Sequence, residues 1–153
     1  MEIRLVDLKV PVSAHDATFV ADCLVELFAP LAGRTDELHA YLDSHIQPPS
    51  TAVLIIEVDG QQAGVITLVR FAMPRYLGHG YEIQELVIAP AFRGRHVARR
   101  ALELVAERCR LDHTARKVII RTNVDAAKRA YVSVWSATDL TSYQTMLNLI
   151  QGE

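Results

Sequence analysis

Residues 83–104 read IQELVIAPAFRGRHVARRALEL, and this stretch decides the fold more than any other part of the chain. An apolar strand, a turn containing Pro90, an Arg/Gly-rich loop and an amphipathic helix follow one another without a break. The first N–H groups of a helix have no partner within the helix, and the helix dipole is positive at that end. Arg93, Arg95, Arg99 and Arg100 add positive charge to the same junction. The sequence therefore predicts an anion site here, with a phosphate-bearing, nucleotide-like cofactor as the leading ligand.

The composition is that of one ordinary globular domain. The chain has 153 residues, of which 50% are hydrophobic and 22% are charged, so we expect a single domain over residues 1–153. The formal net charge of -2 gives no support for a nucleic-acid partner bound by bulk electrostatics. A local basic loop in such a chain favours a small anionic ligand.

The cysteines and the apolar segments indicate the compartment. Cys23 and Cys109 lie in helical apolar patterns without a CxxC or Cys/His spacing, which predicts reduced core residues. The first ten residues alternate like a strand and do not resemble a signal peptide, and no apolar run approaches membrane-spanning length. We therefore expect a cytoplasmic protein without a membrane partner.

The periodicity of the apolar residues predicts a regular succession of helices and strands. An N-capping sequence at Ser13 starts the first helix, Pro30 and Gly33 end it, and Asp59-Gly60 is a strong hairpin signal. The predicted elements, in chain order, are a strand from Ile3 to Leu8, helices beginning near Ser13 and Thr35, strands over 52–58, 63–71 and 81–88 with a loop over 73–80, a helix to about Cys109, a strand over 117–121, a helix over 125–134 and a strand over 138–147. This order, β-α-α-β-β-β-α-β-α-β, indicates an α/β (α+β) fold with a mixed sheet and helices on both faces.

With these elements in place, the chain resembles the Gcn5-related N-acetyltransferase (GNAT) superfamily. The order of elements is that of the superfamily over essentially the full length. Its signature, Arg/Gln-x-x-Gly-x-Gly/Ala, follows a strand that ends in Val-x-Pro; here the strand ends LVIAP over 86–90 and the signature reads RGRHVA over 93–98. Arg93 and Ala98 match, Gly94 supplies a glycine at the first variable position, and His96 stands where the middle glycine is usual. The resemblance implies a mostly antiparallel GNAT-like sheet and acetyl-CoA-dependent transfer of an acetyl group to a primary amine of a small molecule or peptide, by direct attack in a ternary complex.

The resemblance also implies which residues bind acetyl-CoA. Backbone groups of residues 86–88 would pair with the pantetheine arm as an added strand does, and an N–H group there would serve the acetyl carbonyl as an oxyanion donor. Small residues in the loop let the backbone approach the pyrophosphate closely. The implied set is Leu86, Val87, Ile88, Arg93, Gly94, Arg95, His96, Val97, Ala98, Arg99 and Asn123. The alternative is that the arginines form only a solvated helix face.

Three residues are candidates for proton transfer. Glu82 and Glu85 lie in an otherwise apolar strand, where burial would raise their pKa values, and either is a candidate base. They are three residues apart, so a regular strand would point them to opposite faces, with Glu85 on the face of Ile83 and Val87. Tyr131 matches the tyrosine that protonates the thiolate leaving group in the superfamily. Rim salt bridges for the glutamates, a water relay in place of a direct base, and a core role for Tyr131 are the alternatives.

The acceptor site is expected between the first two helices, the loop before the 81–88 strand and the last strand. The candidate substrate-binding residues are Phe28, Tyr41, Tyr76, His79 and Tyr143. This aromatic and cationic set favours an amine with an anionic or aromatic group over a polycation. No histidine or cysteine spacing indicates a metal site. A GNAT-fold protein that binds CoA as a sensor without turnover is the alternative function, and residues 138–147 are a candidate homodimer surface.

Overall fold

A computed structural model describes residues 1–120 and Tyr131. The chain forms five strands and three helices in this range, with three short 3-10 turns at Ala29–Leu31, Pro74–Tyr76 and Pro90–Phe92. The strands and helices are β1 (Ile3–Asp7), α1 (Ala14–Val25), α2 (Thr35–His45), β2 (Thr51–Val58), β3 (Gln61–Met73), β4 (Gly78–Ile88), α3 (Val97–Arg110) and β5 (Ala115–Ile120). The predicted order is confirmed up to β5. The predicted helix over 125–134, apart from Tyr131, and the predicted strand over 138–147 lie outside the described residues.

The sheet is mixed, as predicted. Its order is β1-β2-β3-β4-β5, and the first four strands are antiparallel while β5 runs parallel to β4. The β2–β3 hairpin turns at Asp59 and Gly60, whose φ angles of 49° and 80° are the positive values that this tight turn requires. The crossover from β4 through α3 to β5 gives the one parallel pair in the described sheet.

Each face of the sheet carries its own helices and its own core. On one face, called the α3 face, α3 buries Val97, Ala101, Leu102, Val105 and Cys109 against residues of β2, β3 and β4. On the other, called the α1–α2 face, the two N-terminal helices cover Val53, Ile55, Val65 and Val87. Each fully buried aliphatic side chain contributes about 1.5–3 kcal/mol relative to an exposed one, so the two cores fix the helices on the sheet.

The first helix is shorter than the sequence predicts. Ser13 caps it as expected, with its Oγ accepting from the Asp16 N–H at 3.1 Å. The helix ends at Val25, however, and not at Pro30. The chain leaves the helix early because Pro30 sits in the first positions of a separate 3-10 turn, and Phe28 before that turn has an extended φ of -144°. Phe28 therefore lies in the connection after α1.

The interval between β3 and β4 is also more ordered than predicted. The loop expected over 73–80 contains the Pro74–Tyr76 turn, and β4 begins already at Gly78. The early start is possible because Gly78–Tyr81 pair in register with Arg70–Met73 of β3. Backbone pairing with a long partner strand outweighs the glycines that suggested a loop.

A polar network closes the end of the α3 face. The Asp112 carboxylate, in the turn after α3, accepts from Thr114 Oγ1 at 2.7 Å, Arg70 Nε at 2.9 Å and Tyr81 OH at 2.8 Å. These donors, the Thr114 hydroxyl first, hold the pKa of Asp112 well below its usual range. The network ties β3 and β4 to the start of β5.

Replacing Asp112 by asparagine is expected to lower the thermal unfolding midpoint at pH 7. A carboxyl whose pKa is depressed on folding adds stability above its unfolded pKa of about 3.9 and loses it as the pH falls toward the folded value. The difference from wild type should therefore shrink below about pH 4. Asp22→Asn, on an exposed position of α1, is the control. An Asp112→Asn effect no larger than that of the control would contradict the assignment.

Candidate functional site

A β-bulge in β4 determines how the candidate site is built. Glu85 pairs with Thr67 and Ile83 pairs with Leu68, so Gln84 is an extra residue without a partner on β3. The alternation of side chains reverses at this point. Ile83 packs in the α3-face core, whereas Val87 packs in the α1–α2-face core.

The bulge corrects the prediction that Glu82 and Glu85 point to opposite faces. Glu82 pairs with Val69 and Glu85 pairs with Thr67, two positions of β3 that lie on the same face because β3 itself is regular there. Val65, next in that row, belongs to the α1–α2-face core. Both carboxylates therefore lie on the α1–α2 face, and the prediction that Glu85 shares a face with Ile83 is wrong. It assumed a strand without a bulge.

Glu85 is half-buried and held by one neighbour. Its backbone N–H donates to Thr67 Oγ1 at 2.9 Å, and the Thr67 hydroxyl forms a close hydrogen bond with Glu85 Oε2. Burial raises the pKa of the Glu85 carboxyl, because loss of water disfavours the charged form. A carboxyl in this environment is a better proton acceptor near neutral pH than an exposed one.

Alternate backbone groups after Glu85 point away from β3. The N–H groups of Glu85 and Ala89 both point to β3, the first to Thr67 Oγ1 and the second to the Ala63 carbonyl at 2.8 Å. Since backbone directions alternate along a strand, the groups of Leu86 and Ile88 point to the β5 side. In the described residues β5 pairs with β4 only over His79–Ile83. The Ile88 carbonyl accepts from Arg93 Nε at 2.8 Å, and the backbone groups of Leu86 have no described strand beside them.

The loop before α3 uses two left-handed residues to reach the helix. Gly94 has φ 73° and His96 has φ 60°, and α3 begins at Val97 without a side-chain cap. Arg100 N–H donates to the His96 carbonyl at 3.1 Å, which leaves the N–H groups of the residues between them as the open first turn. No acidic residue lies in that turn. The electrostatics there favour an anion.

The left-handed φ gives a physical reason why glycine is usual at position 96. A residue with a Cβ pays about 1–2 kcal/mol in this conformation, although histidine tolerates it better than branched residues do. The His96 side chain is exposed and does not cap the helix. The open N–H groups of α3 therefore remain in place with histidine at this position.

His96→Gly is expected to raise the free energy of unfolding by about 0.5–1 kcal/mol, because relief of the left-handed strain exceeds the entropy cost of glycine. Gly94→Ala is the opposite change at a neighbouring positive φ, with open space around the new Cβ, and should cost about 1 kcal/mol. Urea unfolding of both variants measures the two values. Destabilisation by His96→Gly would contradict this account of the loop.

The four arginines of the junction do not act alike. Arg93 forms a close ion pair with Glu26 at the end of α1, in addition to its bond with the Ile88 carbonyl. Arg99 pairs with Glu103 at 3.6 Å, and Arg100 pairs with Glu103 and Glu107 at 3.1 Å. Arg95 lies over the Phe92 ring at 5.5 Å, and residues 1–120 and Tyr131 contain no carboxylate partner for it. Arg95 is therefore the arginine of this junction with the most available charge.

Tyr131 lies in a helix on the α3 side of the sheet. It is half-buried and packs against the α3-face core, and burial raises the pKa of its phenol. A phenol that keeps its proton in this environment is chemically able to donate it to a thiolate. Asn123, predicted beside the cofactor, lies outside the described residues.

The structure does not bring all the predicted acceptor residues together. Tyr41 is 57% exposed on α2 and stacks on His45, with ring centroids 4.0 Å apart. Tyr76 is in the turn before β4, where Lys117 Nζ donates to its hydroxyl at 3.0 Å. His79 lies on the α3 face, 3.0 Å from Arg70 and 2.9 Å from Thr114. Phe28 follows α1, and Tyr143 lies outside the described residues.

Thr67 is the site residue that the sequence interpretation missed. It is the one polar side chain in the apolar run VITLV over 65–69 of β3. A hydroxyl in such a run needs a hydrogen-bond partner, and this was the available signal.

Two further features bear on the class of site. Residues 1–120 and Tyr131 hold no group of three or more His, Cys, Asp or Glu side chains placed to bind a metal ion. In the same part of the chain, none of the helices is long and apolar enough to cross a membrane.

Comparison with known proteins agrees with the fold and shows the family. The acetyltransferase (GNAT) family matches residues 20–133, and the chain belongs to this family. No curated protein matches the sequence. Among solved structures, glucosamine-6-phosphate N-acetyltransferase from Arabidopsis thaliana is 18% identical with a TM-score of 0.75, covering 97% of this chain and 100% of its own.

Two other solved structures are similar to the chain. An acetyltransferase from Trypanosoma brucei is 17% identical with a TM-score of 0.76, covering 97% of this chain and 100% of its own. Ribosomal-protein-alanine N-acetyltransferase from Brucella melitensis is 17% identical with a TM-score of 0.69, covering 96% of this chain and 99% of its own. At these identities the three structures support the fold.

Proposed function

We propose that the protein is an acetyl-CoA-dependent N-acetyltransferase that acts on a primary amine of a small molecule or peptide, by direct attack in a ternary complex. The observation that carries the proposal is the meeting of three features at the end of β4. A half-buried Glu85, the outward-turned backbone of Leu86 and the open N-terminus of α3 lie within one strand–loop–helix unit.

The backbone groups at the end of β4 and the start of α3 define where acetyl-CoA would bind. Residues 86–88 would receive the pantetheine arm along their free edge, and a backbone N–H group there would stabilise the acetyl oxygen as negative charge develops on it. The pyrophosphate would bind at Gly94, Arg95, His96, Val97, Ala98 and Arg99, where N–H groups and positive charge converge. Arg93 would serve the site by fixing the loop, since its guanidinium already binds the Ile88 carbonyl and Glu26.

We assign the base to Glu85 and the acid to Tyr131. The amine arrives as an ammonium ion and must lose a proton before it attacks, and Glu85 is suited to receive it because burial raises its pKa. Acetyl-CoA, once bound, supplies the thioester whose acyl carbon the amine attacks. Tyr131 keeps its proton because burial raises the phenol pKa, and it would give that proton to the departing sulfur.

The acceptor is proposed only as a primary amine. Two of the similar structures are named for glucosamine-6-phosphate and for alanine of a ribosomal protein, which are chemically different amines. The half-buried floor of the α1–α2 face beside the glutamates, with Val69 and Ile119 opposite Glu82, is where such an amine would lie. Residues 1–153 would then form one acetyltransferase domain that works in the cytoplasm without a nucleic-acid or membrane partner, and a homodimer is compatible with it.

One observation favours a second function, in which the protein binds CoA without turnover. His96 replaces the usual glycine and holds a left-handed φ of 60° at the start of α3. This departure from the family signature favours a protein that keeps the anion site at the start of α3 and binds CoA there without turnover.

Turnover with a panel of amines tests the proposal. The protein is incubated with acetyl-CoA and amino sugars, amino acids, peptides or aromatic amines, and released CoA is followed with a thiol reagent. Background from the protein should be low, because Cys23 and Cys109 are buried and burial raises the pKa of each thiol to about 11. Amine-dependent thiol release with an acetylated product supports the enzyme. CoA binding without release for any amine supports the module.

A further inference from the structure

Thr67 and Glu85 are joined by two hydrogen bonds across the bulge of β4. The Glu85 N–H donates to Thr67 Oγ1 at 2.9 Å, and the same oxygen bonds with Glu85 Oε2. The backbone N–H can only donate, so the Thr67 oxygen accepts in the first bond. Its single hydrogen is then left for the carboxylate, which can only accept when ionised.

We propose that Thr67 is a positioning residue for the proton acceptor, holding the Glu85 carboxylate on the α1–α2 face and stabilising its ionised form. The hydroxyl serves both protonation states, because its second lone pair can accept from the carboxylic acid once Glu85 has taken a proton. This inference rests on the proposed function, in which Glu85 is the base.

Thr67 supplies a polar contact to Glu85 on a part of this face that is otherwise apolar. From β3, Val65 and Val69 flank the hydroxyl with apolar surface. From α2 and the residue after it, the core residues are the apolar Leu38, Leu42 and Ile46.

Several titratable and charged groups lie on the other elements of this face. They are Glu82 on β4, the Arg4–Glu57 pair of β1 and β2, Asp16, Cys23 and the Glu26–Arg93 pair at α1, His39 and Asp43 on α2, and Lys117 on β5, whose ammonium donates to Tyr76 OH at 3.0 Å. Burial is the cause of the raised pKa of Glu85, and none of these charges contributes to it. Loss of the Thr67 hydroxyl would therefore leave the Glu85 carboxylate without its described donor in a half-buried position.

The test measures the pKa of Glu85 directly. The protein is labelled with 13C at the glutamate carboxyl, and the Glu85 resonance, assigned by its absence in Glu85→Gln, is titrated by NMR. Thr67→Val keeps the branched shape without the hydroxyl and is expected to raise the Glu85 pKa by about one to two units, because a hydrogen bond to an ionised group is lost. Thr67→Ser keeps the hydroxyl and is expected to titrate as wild type.

Activity provides the second readout, with any amine that turns over. The acidic limb of kcat/KM against pH should move to higher pH in Thr67→Val by the same amount as the NMR pKa, and should stay in place in Thr67→Ser. Thermal unfolding checks the fold of each variant. If Thr67→Val does not fold, Thr67→Cys, which keeps a weaker donor, is expected to shift the pKa in the same direction.

An unshifted Glu85 pKa in Thr67→Val, together with an inactive Glu85→Gln, would overturn this inference alone. A fall in kcat of Thr67→Val at every pH, without movement of the acidic limb, would also overturn the inference, because it would indicate a purely structural role for Thr67. Full activity of Glu85→Gln would instead overturn the assignment of the base in the proposed function, whatever the titration gives.

Discussion

Glu85→Gln is expected to lower kcat by about 100- to 10,000-fold, the usual contribution of a general base. Glutamine keeps the size of the side chain and can still accept from Thr67, but it cannot take a proton from the ammonium group. The KM for acetyl-CoA should change little, because Glu85 lies on the α1–α2 face rather than in the loop that would bind phosphate. Steady-state kinetics with the best amine of the panel measures both parameters.

Glu82→Gln is the matched control. The bulge places both carboxylates on the same face of the same strand, so the two variants remove the same charge from neighbouring positions. We expect a much smaller loss for Glu82→Gln, because Glu85 is the one held by Thr67 next to the outward-turned backbone. A larger loss of kcat in Glu82→Gln than in Glu85→Gln would show that Glu82, and not Glu85, is the base.

Glu85→Gln is also expected to change the free energy of unfolding. Burial raises the folded-state pKa of Glu85 above its unfolded value of about 4.3, so the folded protein binds the proton more tightly. The contribution of Glu85 to the free energy of unfolding is therefore fully present at acid pH, and it is lost as the pH rises through the pKa that Glu85 has in the folded protein. Glu85→Gln should be more stable than wild type at pH 8, and this advantage should disappear on acidification.

Tyr131→Phe is expected to lower turnover by about 100-fold or more while acetyl-CoA binding stays nearly the same. The change removes only the phenolic hydroxyl from a half-buried side chain that otherwise packs against the α3-face core. Loss of the proton donor would slow departure of the thiolate. Kinetics and calorimetric titration of acetyl-CoA, done on the same preparation, separate the two effects.

Tyr81→Phe provides the comparison for Tyr131. Tyr81 is also a buried tyrosine of the α3 face, but its hydroxyl donates to Asp112 at 2.8 Å in the network at the far end of the sheet. We expect this variant to unfold at lower temperature and to keep its kcat. A fully active Tyr131→Phe, or a Tyr81→Phe that loses turnover without loss of stability, would show that the acid is assigned to the wrong residue.

Local signals in the sequence predicted most of the described fold. Asp59-Gly60 marked the β2–β3 turn and Ser13 marked the start of α1, because each of these features depends on a few neighbouring residues. The strand–loop–helix unit over 83–104 was predicted from its apolar pattern and its position before an Arg/Gly loop. These are the elements in which short-range preference and tertiary packing agree.

The bulge at Gln84 could not be predicted in this way. The strand reads YEIQELVI over 81–88, and its polar pair Gln84-Glu85 does not show which residue is extra, because the extra residue is defined only by the register with β3. The face of the sheet on which Glu82 and Glu85 lie depends on that long-range pairing. The same is true of Arg93, whose partner Glu26 is 67 residues away, and of His79, which faces α3 because of its place in β4.

Acetyl-CoA binding is best measured by calorimetric titration into the Glu85→Gln protein, because this variant should bind the donor without consuming it. We expect a single site per chain with a Kd in the micromolar range, and competition by CoA. No binding at millimolar acetyl-CoA by a folded protein would contradict the claim that the end of β4 and the start of α3 form an acetyl-CoA site.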